Sequence, residues 1–381
     1  MCPIDIHLLR RTLYKFQDLF SSPPPPVPDG RRTVAVLPDA GRRVSVETAL
    51  NSRCCSDADG NPRRFHWGMF DTASKLPPEI IGEIAGRARA VPGLSADAVD
   101  ILVEGEVLTC VIDGATGGLN RERLMIESGM QQQAVGLLCA ALGVGMVFKS
   151  LGDDGVAISG GQWATTRIRL GPMKTSYGGA YWTSRIPSGS RPWVAGNLPE
   201  PLREGRSELL AVLERLALSR TSGQLAGMPQ ISQLLWAARG RTPHFYKSEP
   251  WGMTIPTSRG EQNVSSLYLA SVDGLSRYVN WRNNRPTHSL EPVASRDQTM
   301  GSRLSELFPG CRVVILLAAN ENRARALWEV GYQLLNLLLQ AAALDVPHEA
   351  AFLDSDQKAG LGAAGISTPI AAFVLRHTPK E

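Results

Sequence analysis

The strongest hydrophobic pattern in the chain is a pair of long apolar segments at residues 127–144 and 329–346. Each is interrupted by only a few polar residues, so a helix through it would be apolar on nearly every side. Such a helix is buried rather than amphipathic. Gly129 and Gly136 remove side chains where another backbone can approach closely. We therefore expect two buried helices that are able to pack against each other.

The two segments also share a sequence. A shift of 202 residues aligns them with eight identities in 18 positions: Glu127, Gly129, Gln131, Leu137, Ala140, Ala141, Leu142 and Val144. The same shift places the strand-like run 168–174 over 370–376 without a gap. Two unrelated helices rich in Ala and Leu would share some identities, but the continuation into a strand favours a repeated unit. Fused copies of one unit can mimic a two-fold homodimer.

The remaining periodicities predict an α+β fold, because helical and strand-like runs are mixed and tight hairpins are few. In the first unit we expect helices at 46–51 and 77–90 and strands at 99–112 and 165–170. In the second unit we expect helices at 204–218, 230–238 and 301–307, and strands at 265–272, 312–318 and 369–375.

Breaker-rich stretches divide the chain into four parts. Residues 1–44 are expected to form an amphipathic helix and an arm with five prolines between Ser21 and Gly30. A shortened first unit follows at 45–177, then a linker rich in proline and glycine at 178–204, and a second unit at 205–381.

Composition excludes several classes of function. The net charge of +4 is too small to indicate nucleic-acid binding, and the six cysteines show no zinc-ligand spacing. No apolar run is long enough to span a membrane, and the first 20 residues lack the apolar core of a signal peptide. Neither a Ser/His/Asp arrangement nor a Walker loop is present. We expect a protein of the reducing cytoplasm that binds neither nucleic acid nor membrane.

Four segments carry a family pattern, in this order along the chain: Phe70–Glu79, Glu127–Gly145, Arg220–Ser222 with the helix Ile231–Gly240, and Pro256–Asn263. The first is a Phe-Asp run that ends in Leu-Pro-Pro-Glu, and the second joins Glu-x-Gly to a Gly-x-Gly turn. The third opens with Arg-x-Ser, and the fourth contains Pro-Thr-Ser. Together they resemble the nitroreductase family, including its branch of peptide-heterocycle (azoline) dehydrogenases.

The resemblance implies a fold and a reaction. Members of this family form α+β three-layer sandwiches that dimerise and bind FMN at the subunit interface. This chain would then be a fused tandem pseudo-dimer that moves hydride to or from a small organic molecule, or a natural-product or peptide intermediate. NAD(P)H is the implied electron donor, or O2 the acceptor, and further dimerisation stays open. Because hydride chemistry belongs to the cofactor, no catalytic residue is assigned.

The resemblance also implies two unequal flavin sites. The first would be built on the first unit and completed by a loop of the second. Its residues would be Arg53 or Arg64, with Lys174, for the phosphate, Gly145 and Gly152 beside the ring, and Thr257, Ser258 and Asn263 from the loop. The second site would use Arg220, Ser222 and Arg376. Because the first unit offers no Pro-Ser loop to complete it, we expect one working site and one decayed site.

Other interpretations of the same residues remain. Arg220 could instead cap the carbonyl groups at a helix end. Lys174 and Arg376 could be ordinary charged residues at the ends of strands, and Thr257 and Ser258 could simply form a turn. A duplicated scaffold that has lost flavin and binds a partner is the main alternative function. A protein that consumes the flavin itself is a third.

Overall fold

The computed structural model describes most of both units. It covers residues 44–52, 54–56, 62–64, 75–95, 97–114, 120–151, 155–172, 182–183, 196–242, 245–246, 253–255, 264–283, 285–293, 303–304, 306–320 and 324–376. The predicted helix and arm at 1–43, and the predicted linker up to residue 195 apart from 182–183, lie outside these residues.

Within the described residues, the first unit and the linker that follows it contain three α-helices and eight strands. They are α1 (Val46–Ser52), β1 (Cys54–Ser56), β2 (Pro62–Arg64), α2 (Pro78–Arg89), β3 (Val99–Glu104), β4 (Val107–Asp113), α3 (Arg121–Leu142), β5 (Val144–Ser150), β6 (Val156–Ala157), β7 (Gln162–Pro172) and β8 (Trp182–Thr183). The single strand predicted at 99–112 is a hairpin, which turns at Gly105 with a φ of 58°. Glycine tolerates this left-handed conformation without a steric cost.

The first long helix starts earlier than the apolar pattern indicates. The side chain of Asn120 accepts a hydrogen bond from the Glu122 N–H and caps the first turn of α3. At the other end Gly143 adopts a φ of 68°, which stops the helix, and β5 begins at the next residue. The turn predicted at 143–145 is therefore a helix cap followed directly by a strand.

The second unit contains four helices and eight strands within the described residues. They are α4 (Leu209–Glu214), β9 (Ser219–Arg220), α5 (Met228–Arg239), β10 (Phe245–Tyr246), β11 (Ser265–Ser271), β12 (Gly274–Arg282), β13 (Arg285–Pro292), β14 (Cys311–Ala319), α6 (Ala324–Ala343), β15 (His348–Phe352), α7 (Ser355–Ala363) and β16 (Pro369–Arg376). The helix predicted at 204–218 is limited to α4. The hairpin β12–β13 was not predicted, because the buried residues of β12 are Leu275, Tyr278 and Asn280, which neither alternate regularly nor form an apolar run.

Both units build the same arrangement of strands around a long helix. The first sheet has the order β3-β4-β7-β5, with β6 beside β7, and the second has β13-β12-β11-β14-β16-β15-β9. The stretch β11-β14-β16-β15 matches the first sheet strand for strand, and every one of these pairs is antiparallel. Of the four matched strands in each unit, two precede the long helix and two follow it. This is the correspondence that a repeated unit predicts.

The two long helices pack directly against each other, as predicted, and the contact lies at equivalent glycines. A Cβ atom added to Gly331 would lie 2.1 Å from the carbonyl oxygen of Ile126. One added to Gly129 would lie 2.5 Å from the carbonyl oxygen of Trp328. Since a real Cβ cannot approach backbone atoms so closely, α3 and α6 cross with their main chains in contact. One hydrophobic core extends from this crossing into both units.

The second sheet is also covered on its outer face. A separate core formed by alternate residues of β16, among them Ala372 and Val374, packs with Leu361 of α7. The intervening residues, such as Phe373 and Leu375, belong to the core around α3 and α6. The two faces of β16 therefore have different neighbours. In the part of the chain described here, no helix is long and apolar enough to cross a membrane.

Candidate functional site

Most residues of the first predicted site fall outside the described part of the chain. These are Arg53, Gly152, Lys174, Thr257, Ser258 and Asn263, together with the side chain of Arg64, whose backbone ends β2. Gly145 is described. It is the second residue of β5, lies opposite Gly171 of β7 and is buried in the sheet. Its place in this site stays a prediction.

A buried polar network surrounds Glu329 at the first turns of α6. The carboxylate lies 3.0 Å from Nη1 of Arg239 and 3.0 Å from Oγ of Ser265, and both charged side chains are almost fully buried. Nη1 of Arg239 also donates to Ser265 at 2.7 Å, and Nε2 of Gln333 donates to the same hydroxyl at 2.6 Å. The network ties α5 and β11 to the central helix.

The equivalent carboxylate of the first unit has an analogous place. Glu127 is fully buried, and it accepts hydrogen bonds from the backbone N–H of Ser95 and from Nε of Arg123, both at 2.7 Å. Each copy of the repeated glutamate thus anchors neighbouring segments of its own unit. The sequence contained an indication of this role, because a charged residue recurs at the same position of two otherwise apolar helices. The pattern alone did not predict which residues bind the glutamate.

Residues from both units hold the chain just before the predicted Pro-Thr-Ser loop. Gln133 of α3 donates from Nε2 to Oδ1 of Asn336 at 2.9 Å and to the carbonyl oxygen of Thr254 at 3.3 Å. Asn336 in turn donates to the carbonyl oxygens of Ala237 at 2.9 Å and Thr254 at 3.4 Å. Thr254, two residues before Pro256 in the sequence, therefore lies at the junction of the two units. We call Gln133, Asn336 and Thr254 the inter-unit clamp.

Arg220 of the second predicted site lines a cleft of about 310 Å³. The other lining residues are Arg215, Ala217, Ser219, Ala342 and His348. Nε of Arg220 donates to the carbonyl oxygen of Ser222 at 3.0 Å, and its Nη2 forms an ion pair with Asp345. Ser222 contributes its main chain to this contact, and the place of both residues in a flavin site stays a prediction.

Arg376 does not join them. Arg220 is paired across β9 and β15 with His348, whose ring stacks on Phe373 on the helix-facing side of the sheet. Arg376 lies on the alternate face, where it forms an ion pair with Glu349. Because successive side chains of a strand point to opposite faces, the two guanidinium groups lie on opposite sides of the sheet.

A second buried polar chain runs through His288. Ser232 Oγ donates to the carbonyl oxygen of Pro199 at 2.5 Å, so it must accept the hydrogen bond from Nε2 of His288 at 2.7 Å. Nδ1 is then the acceptor for the hydroxyl of Tyr278 at 2.8 Å. Burial, with a smaller contribution from the charge of Arg203, lowers the pKa of His288 to about 4. The ring is therefore a neutral structural link rather than a proton donor.

This histidine predicts a pH dependence of stability. The unfolded chain takes up a proton near pH 6.5, whereas the folded protein resists it until about pH 4. Stability is therefore complete above pH 6.5 and falls as the pH drops towards 4, by at most about 3 kcal/mol from this group. Urea unfolding at about pH 7 and pH 4.5 measures the loss. His288→Gln, which cannot be protonated, should show a smaller loss; an equal loss in both proteins would contradict the assignment.

The buried thiols are not candidate nucleophiles. Burial raises the pKa of Cys110 to about 12, and it also raises the pKa of Cys139. Thiolates, which are the reactive form, are thus disfavoured at both positions. Among the described residues, no group of three His, Cys, Asp or Glu side chains could hold a metal ion.

Comparison with known proteins gives matches at the level of solved structures alone. No protein-family model matches the chain, and neither does any curated protein. A protein described as a nitroreductase from Ralstonia eutropha JMP134 is 22% identical with a TM-score of 0.37, covering 50% of this chain and 95% of its own. One from Anabaena variabilis ATCC 29413 is 9% identical with a TM-score of 0.48, covering 71% of this chain and 69% of its own. A nitroreductase-family protein from Clostridium difficile 630 is 12% identical with a TM-score of 0.25, covering 37% of this chain and 92% of its own. The structural neighbours of this α+β chain are thus proteins described as nitroreductases.

Proposed function

We propose that this protein is an FMN-dependent oxidoreductase in which the two units act as a pseudo-dimer and the flavin lies at their junction. The observation that carries the proposal is the inter-unit clamp. Gln133 of the first unit and Asn336 of the second hold the same Thr254 carbonyl group, next to the loop that resembles the family's Pro-Ser loop. A flavin site completed by one unit on the other requires a loop in this position.

The described residues fit a phosphate-bearing flavin in their donor chemistry. Arg215 and Arg220 line one cleft, and guanidinium groups are donors that phosphate oxygens prefer. FMN, when bound, supplies the redox-active ring that accepts or donates hydride. The protein's own part would be to bind the phosphate, to orient the ring through the loop beyond Thr254 and to exclude water. The substrate class stays a small organic molecule or a peptide-derived intermediate, with NAD(P)H as donor or O2 as acceptor.

Two ion pairs favour the alternative, a flavin-free scaffold. Arg220 is engaged by Asp345, and Arg376 by Glu349, so both arginines predicted for the second site already have carboxylate partners. A scaffold that had lost its cofactor would show such neutralised arginines. This second function predicts a colourless protein that FMN does not reconstitute.

The absorption spectrum of the purified protein, before and after incubation with FMN, separates the two functions. We expect a bound flavin spectrum with one FMN per chain. Gln133→Leu removes one side of the clamp and should weaken FMN binding about tenfold, which corresponds to one buried hydrogen bond.

Gln132→Leu is the matched control for this variant. Gln132 is also buried, but its side chain does not contact the Thr254 carbonyl group. It accepts a hydrogen bond from the hydroxyl of Tyr332 and donates one to the hydroxyl of Ser128. We expect this variant to lose stability and to keep its FMN affinity. If the protein shows no flavin absorbance after incubation with FMN and removal of the unbound cofactor, the oxidoreductase proposal is wrong.

A further inference from the structure

We propose that residues 196–203, which we call the strap, open in response to proton uptake by the imidazole of His288, while the rest of the second unit stays folded. The strap is the last part of the predicted linker and leads from the edge of the second sheet to the start of α4. Neither a bound flavin nor the proposed function is needed for this behaviour.

The strap lies along β13, which is an edge strand of the second sheet. The N–H of Leu198 donates to the carbonyl oxygen of His288 at 3.4 Å. Asn197 holds the main chain of Leu290, because its Nδ2 donates to the carbonyl oxygen and its Oδ1 accepts from the N–H, both at 2.8 Å. A Cβ atom added to Gly196 would overlap the carbonyl oxygen of His288. The strap therefore covers this edge as an additional strand would.

The hydrogen bonds around the His288 ring require its neutral form. Since Ser232 Oγ donates to the carbonyl oxygen of Pro199 in the strap, it accepts from Nε2 of His288. Nδ1 is left to accept from the hydroxyl of Tyr278. A second proton would turn Nδ1 into a donor and place a charge on a residue that is only 5% exposed. The contacts that hold Pro199 therefore oppose protonation for as long as the strap is closed.

The charged groups near the ring do not favour an imidazolium ion. Burial and, to a smaller extent, the charge of Arg203 in the strap lower the pKa of His288 to about 4. Three further charged groups act on its partner Tyr278, namely Arg239, Arg241 and Glu200. Glu200 is the carboxylate of this set, and it forms an ion pair with Arg203 at 2.9 Å. Water that reaches the ring when the strap opens would solvate the new charge, so a protonated ring favours the open strap.

The pKa difference sets the size and the direction of the effect. The pKa of His288 is about 4 while the strap is closed and returns towards 6.5 when water reaches the ring. The closed strap is therefore fully favoured above pH 6.5 and loses this advantage as the pH falls towards 4. Between pH 7 and pH 4.5 the equilibrium constant for opening should rise about 50-fold.

Hydrogen exchange of backbone amides in the full chain, corrected for the intrinsic pH dependence of exchange, measures this opening. The protection of the amides of Leu198, Leu290 and Leu202, which donates to Gln233 of α5, should fall about 50-fold between pH 7 and pH 4.5. Low urea concentrations should not change it, because a local opening exposes little surface, whereas the amides of β4 should exchange faster. If the strap amides respond to urea as steeply as those of β4, the strap opens only on global unfolding and the proposal is wrong.

Two variants separate the proton from the other contacts of the strap. His288→Gln cannot be protonated, so the protection of the strap amides should stay nearly constant between the two pH values. Asn197→Ala removes the exposed hydrogen bonds to Leu290 without removing a titratable group. It should lower the protection of Leu198 and Leu202 about tenfold at both pH values and keep the wild-type ratio between them. The same pH dependence in His288→Gln and the wild type would contradict the proposal. So would a flat pH profile in the wild type, a result that needs no variant.

Discussion

Gly331→Ala is expected to lower the free energy of unfolding by about 3 kcal/mol or more. The added Cβ would lie 2.1 Å from the carbonyl oxygen of Ile126 and 2.8 Å from the backbone nitrogen of Met130. Backbone atoms cannot move aside as a flexible side chain would, so α3 and α6 must separate along their contact. Chemical denaturation monitored by far-UV circular dichroism measures the loss. Gly129→Ala should behave in the same way, because its Cβ would meet the backbone of Trp328.

A second helical glycine provides a control with the opposite sign. Gly82 lies within α2, where an added Cβ would meet nothing within 4 Å. Since alanine is the better helix former, Gly82→Ala should raise the free energy of unfolding by about 0.5–1 kcal/mol. If the Gly331 and Gly82 variants change stability alike, the helices do not cross at these glycines.

Glu329→Gln is expected to destabilise the protein by about 3–5 kcal/mol. The substitution keeps the shape of the side chain but removes the negative charge that lies 3.0 Å from the buried guanidinium group of Arg239. The arginine would keep its positive charge in an environment from which water is excluded. The free energy of unfolding in urea measures the effect, and the loss should persist in high salt because a buried pair is poorly screened.

A surface ion pair serves as the comparison. Glu291 pairs with Arg282 at 2.5 Å, and the side chains are 30% and 50% exposed. Glu291→Gln should therefore change the free energy of unfolding by less than about 1 kcal/mol. A loss in Glu329→Gln as small as this would mean that the Arg239–Glu329 pair is not buried.

The repeated segments predicted much of the fold. Both segments are apolar on nearly every side, and Gly129 lacks a side chain that would keep a neighbouring backbone away. These local features indicated two buried helices and their packing at Gly129. The α+β class and the strand at Pro369–Arg376 were also predicted correctly. The helix at 204–218 was overestimated because residues after Glu214 turn towards β9, a tertiary pairing that no local pattern marks.

The residues of the candidate site were harder to predict from the sequence than the fold. The Arg-x-Ser pattern indicated Arg220, and in the structure this residue lines a cleft. It did not indicate Arg215, which is five residues away and belongs to no motif. The inter-unit clamp was also missed, because Gln133 and Asn336 are 203 residues apart and meet only when the two helices cross.

By itself, the sequence determined the α+β class and the two buried helices, because burial and close packing leave a local, periodic pattern in the residues. Only the tertiary structure decided which polar groups meet. A shift of one residue in strand register moves a side chain to the opposite face. The register of the assembled sheet therefore places Arg376 on the opposite face from Arg220. Arg215, in contrast, lines the same cleft as Arg220.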